Sequence, residues 1–139
     1  MKILKFIRYL IETLIIILFF TFFKIIGIKI STFISGKIFT LVGPLFRSKN
    51  IISKNLKKAF PNISDEEIKI HIREMWNYYG KIFAEYPFLN NFRNKNLGNN
   101  IEIVGQDNLK EIENENVVFI SGHFDNFELM AMSLEKEGI

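Results

Sequence analysis

Cysteine is absent from the 139 residues, which removes a disulfide framework, a thiolate nucleophile, a zinc ribbon and a CxxC redox pair together. Histidine is nearly absent as well. His71 and His123 are the two present, neither has a second histidine at metal-ligand spacing, and an HExxH zinc site is therefore excluded. The glycine patterns of Walker and Rossmann phosphate loops are missing too. Among the first sixty residues acids are missing except for Glu12, against eleven Lys or Arg, whereas residues 61–139 hold fourteen acids and seven bases. Such a split implies two regions with different partners. The basic region is also the apolar one and lacks the interleaved aromatic and basic residues of a single-strand binder, so nucleic acid is excluded and anionic lipid is the expected partner. At 48% hydrophobic and 24% charged residues, the chain is too apolar to be disordered.

What is present begins with an apolar run. Leu14 to Phe23 reads LIIILFFTFF between Glu12 and Lys24, and a snorkelling Lys24 extends it through Ile25, Ile26 and Ile28. About 20 apolar residues cross about 30 Å of hydrocarbon. Lys2, Lys5 and Arg8 precede the run, but no small-x-small cleavage site follows Phe23, so an uncleaved anchor is expected. Cations flank it on both sides and the positive-inside rule does not orient it; a monotopic or strongly tilted helix reconciles the two flanks. From Ile25 to Phe46 a second apolar stretch is broken by Gly27, Gly36, Gly43 and Pro44 and contains Lys29 and Lys37, the pattern of an interfacial helix rather than a second span. Arg47, Lys49, Lys54, Lys57 and Lys58 then surround Ile51, Ile52, Leu56 and Phe60. This is either a basic amphipathic helix on an anionic leaflet, each cation contributing about 1 kcal/mol, or a solvated face that is basic.

Ser64 and Glu67 form an S-x-x-E capping box at the start of a helix whose apolar face is Ile68, Ile72, Met75, Tyr79 and Ile82, joined by Trp76 and Phe83 and ended by Tyr86 and Pro87. His71 falls among its charged positions as a surface residue. The polar stretch Asn90 to Asn100 reads as a boundary. Beyond it, Ile101 to Gly105 and Val117 to Ile120 read as strands, the second buried on both faces, and Leu109 to Glu113 and Phe127 to Glu137 as helices. The expected organisation is a membrane anchor and interfacial segment over 1–46, a helical membrane-proximal region over 47–100, and the start of an α/β sheet domain over 101–139.

Chemistry concentrates at the carboxyl end of the second strand, where Ser121-Gly122-His123-Phe124-Asp125-Asn126-Phe127-Glu128 leads into a helix. Gly122 lets a substrate approach closely and His123 can take a proton near neutral pH. Glu128 lies five residues on, roughly 140° away on a continuous helix, so the two pair only if His123 is on the loop and Glu128 in the first turn. The carboxylate would then hold one ring nitrogen and leave the other as a base. Alternatively Asp125 caps the helix and Glu128 is its third-position capping partner.

VVFISGHFDNFELM, residues 117–130, resembles the first catalytic block of the lipid A biosynthesis (late) acyltransferases, the lauroyl and myristoyl transferases of the lysophospholipid acyltransferase superfamily. Asn55-Leu56, Ala59-Phe60-Pro61, Trp76-Asn77-Tyr78-Tyr79-Gly80 and Glu85 resemble that family's stretch between anchor and block. The resemblance implies a glycerolipid-acyltransferase-like αβ domain in which His123 is the base and Glu128 its partner in a His-x4-Glu motif. Asn126 and Gly122 are the expected substrate contacts. It further implies transfer of an acyl group from acyl carrier protein or coenzyme A, as co-substrate, to a hydroxyl of a lipid A precursor, without metal or other cofactor. The expected location is the bacterial inner membrane, with the catalytic part facing the cytoplasm. Asp125 stands where members often carry Gly. Members are longer and bear an arginine block downstream, so the chain is expected to be an N-terminal portion. Rival readings are a non-enzymatic truncated membrane protein, or the same chemistry on a lysophospholipid or another glycolipid.

Overall fold

The computed structural model describes residues 2–94, 101–105, 107–108, 112, 116–122 and 126–136. They form two units, Met1–Phe88 and Leu89–Ile139.

The first unit is helical. In α1 (Lys2–Ile26) the large apolar side chains from Ile3 to Leu18 are exposed, and cover begins only near the end, where Phe23 is buried. The helix stops because Gly27 adopts φ +80°, a conformation that side-chain-bearing residues avoid. Next comes α2 (Ile28–Val42). Its Ser31 hydroxyl reaches back across the corner, shared between the carbonyls of Phe23 at 3.0 Å and Gly27 at 2.7 Å. Both carbonyls also accept a backbone N–H at 3.0 Å, from Gly27 and from Ser31, so the hydroxyl is a second donor that ties the corner together.

The main support of this unit is the packing of α2 against α4 (Asp65–Glu85). Ser31, Ser35 and Gly36 are buried on α2, and Gly80 and Ala84 on α4. A Cβ at Gly80 would overlap the Ser35 carbonyl and come within 2.8 Å of the Gly36 Cα, so the two backbones are in direct contact. At the end of this contact the Phe83 ring sits 5.5 Å from Phe20, 5.4 Å from Phe39 and 6.2 Å, edge-on, from Phe23, joining α1, α2 and α4. The core stripe of α4 thus differs from the expected one. Tyr79 is 52% exposed, and the small residues Gly80 and Ala84 take the inner face because only they permit the close crossing.

The capping box is formed as its sequence predicts. Ser64 Oγ accepts the Glu67 N–H at 3.2 Å, and Glu67 Oε2 accepts the Ser64 N–H at 2.8 Å. The Ser64 hydroxyl also donates to Glu67 Oε2 at 2.7 Å, and this bond first, with the Ser64 N–H second, lowers the Glu67 carboxyl from its ordinary value. α3 (Lys49–Ala59) buries no residue fully; Ile52 and Leu56 are half-buried, and Lys54 and Lys58 are exposed. Among the described residues, both Ile3–Ile26 and Ile28–Leu45 are long and apolar enough to cross a membrane by length and composition. The second includes the 3-10 turn Gly43–Leu45.

The second unit contains α5 (Leu89–Arg93), with Phe92 buried, and α6 (Phe127–Lys136), joined by an Arg93–Glu135 ion pair. The first residues of the expected boundary loop are therefore helical. The expected strands are not seen: neither Ile101 to Gly105 nor Val117 to Ile120 is in a strand, and no strand occurs among the described residues. A strand exists only with a ladder partner, and apolar, β-branched composition supplies propensity without one. Val118 at 84% and Ile120 at 94% exposure lack the sheet cover that their run was expected to have. Of the expected helix Leu109 to Glu113, only Ile112 lies within the described residues.

Candidate functional site

Residues on both sides of the loop that leads into α6 are held against that helix. The Ser121 hydroxyl is within hydrogen-bonding distance of the Gly122 carbonyl, at 3.0 Å, and of Met130 Sδ, at 3.3 Å, which ties the chain leaving Ile120 to the second turn of α6. At the other end the Asn126 carbonyl accepts the Leu129 N–H at 3.1 Å. Gly122 is exposed and Asn126 half-buried. His123, with Phe124 and Asp125, lies outside the described residues.

Glu128 is in the first turn of α6 and half-buried. The positive end of a helix favours a carboxylate there. Asp125, the capping partner in the alternative reading of Glu128, lies outside the described residues. Glu128 has no hydrogen bond or ion pair among the described residues.

The five basic residues of the anchor-proximal segment are not equivalent. Lys57 Nζ lies 2.7 Å from Asp65 Oδ1 and holds the Asp65 carboxyl below its ordinary value, through the hydrogen bond first and its charge second. Arg47, Lys49, Lys54 and Lys58 are exposed and have no ion pair among the described residues. The sequence reading missed a second group of cations. Arg73, Asn77 and Lys81, spaced by four on α4, line a cleft of about 450 Å³ with Lys37 and Thr40 of α2. Four-residue spacing was the available signal, hidden by the mixed charge of that helix. His71 stays a surface residue, its Nδ1 3.7 Å from Glu74 Oε2.

A long helix whose apolar side chains have no protein cover, followed by a basic amphipathic helix, marks a membrane protein. The family model for bacterial lipid A biosynthesis acyltransferases matches residues 2–138, and the chain belongs to that family, a family of O-acyltransferases. No curated protein and no solved structure matches it.

Proposed function

We propose that the protein transfers a fatty acyl group from an acyl carrier protein thioester to a hydroxyl of a lipid A precursor, at the cytoplasmic face of the bacterial inner membrane. The observation that carries this reading is the family match across 2–138, which includes the loop and helix bearing His123 and Glu128. His123 takes the proton of the acceptor hydroxyl, and the oxygen attacks the thioester carbonyl. The carbon–sulfur bond then breaks, an ester forms, and the imidazolium returns its proton to the departing thiolate. Glu128 holds the other ring nitrogen and stabilises the charged imidazole. Its place in the first turn of α6, at the head of the helix that follows the loop, supports that role. Asn126 and Gly122 border the acyl and acceptor groups.

In this reading 1–46 attach the protein to the bilayer, 47–100 lie along its surface, and 101–139 begin the catalytic domain, with Val117 to Ile120 as a strand of an α/β sheet. α1 enters the hydrocarbon, whereas α2 lies in the interface. Packing α2 on α4 along its length would otherwise draw Arg73, Glu74 and Lys81 toward the bilayer centre, which is costly. Lys54 and Lys58, with Arg47 and Lys49, face the anionic leaflet and attract the acidic carrier protein.

The test is acyl transfer from a radiolabelled acyl carrier protein to a lipid A precursor in membranes. His123→Ala is expected to lower kcat by about 10²- to 10⁴-fold, and Glu128→Gln by less, both without loss of membrane association. Parental rates in His123→Ala would overturn the assignment.

A further inference from the structure

We infer that the cleft between α2 and α4 binds the phosphate group of a membrane lipid. Three cations, Lys37, Arg73 and Lys81, border the cleft and none has an ion pair among the described residues. Lys37 Nζ and Lys81 Nζ rest against aromatic rings, 5.7 Å from the Phe33 centroid and 5.0 Å from the Tyr78 centroid. The one carboxylate of the lining, Glu74, has His71 beside it at 3.7 Å. Thr40 and Asn77 add neutral polar groups. Cationic donors in excess of acceptors, in a concave site of about 450 Å³, match a tetrahedral dianion or monoanion and reject a cationic ligand.

The position of Lys37 points to a lipid as the source of the phosphate. On α2, Phe33 lies four residues before Lys37 and Leu41 four after, so the three share a helix face. Phe33 is 64% and Leu41 80% exposed, with Ile30 exposed one turn earlier. Apolar side chains that enter the acyl boundary of a leaflet leave the ammonium between them at headgroup level, where phosphates are. This inference does not depend on the acyl-transfer reading, and its test measures binding without turnover.

The full chain in neutral maltoside micelles is titrated calorimetrically with dihexanoyl phosphatidic acid, with inorganic phosphate, and with dihexanoylglycerol, which has no phosphate. Saturable binding of the phosphatidic acid is expected, tighter than that of inorganic phosphate, with none to the diacylglycerol. The triple variant Lys37→Gln, Arg73→Gln, Lys81→Gln is expected to weaken it at least about tenfold at unchanged helicity, and Lys37→Arg with Lys81→Arg to retain it. Glu74→Gln, which removes the lone carboxylate without enlarging any side chain, is expected to tighten it; failure to tighten counts against the site. Equal affinity for inorganic phosphate would keep the phosphate chemistry and overturn the lipid as its source. Unchanged affinity in the triple variant would overturn the cleft as the site.

Discussion

In the unit Met1–Phe88 a polar residue, Ser35, is buried to 1% exposure, whereas in the unit Leu89–Ile139 an apolar one, Ile120, stands at 94%. Hydropathy alone would order them the other way. Ser35 is small, and its backbone meets Gly80 where two helices cross; each of those helices closes its backbone hydrogen bonds within its own segment. Ile120 belongs to a run whose apolar character is useful only once another strand lies beside it. Local information is enough for the first arrangement and not for the second.

The largest expected effect lies at the crossing itself. Gly80→Leu would force α2 and α4 apart, and a loss of about 3 kcal/mol is expected, read as an early thermal transition by circular dichroism. A parental melting curve would break the comparison, since it would mean that the α2–α4 contact does not support the first unit. Ser64→Ala removes a capping hydroxyl at the start of α4, with an expected cost of about 1 kcal/mol in the same measurement. Acid sharpens the same point by a smaller amount. The Glu67 carboxyl is lowered by the Ser64 bonds, so its contribution is present above the ordinary carboxylate value and disappears as pH falls through the lower, folded value. Thermal scans from about pH 5 downward should show that loss in the parent and a smaller one in Glu67→Gln. The smallest effect is expected from Ile120→Thr, within about 0.5 kcal/mol, because the side chain is already in solvent. A drop of several kcal/mol there would show that the run is covered after all.

What could be read from the sequence follows the same division. The helix from Asp65 to Glu85, its capping box, the apolar α1 and the helix from Phe127 all follow from spacing and caps within a few residues. The inner face of α4 was misread because spacing favours large apolar residues such as Tyr79, whereas the close crossing selects Gly80 and Ala84. Lys57 looked like one more free cation because its partner, Asp65, belongs to the next helix. At the candidate site, sequence placed Glu128 at the head of a helix and left open whether it was a capping partner.

The Ser31 bonds at the corner have a consequence for the bilayer as a material. With one residue between α1 and α2 and its neighbouring carbonyls held by a hydroxyl, the anchor is a strut rather than a tether. A free transmembrane helix meets a thinner or thicker membrane by changing its tilt, at a cost of a fraction of a kcal/mol per Å. Here that rotation would be carried into α2 and thence into α4, packed along it, so bilayer thickness would set the height of the cationic cleft relative to the headgroups.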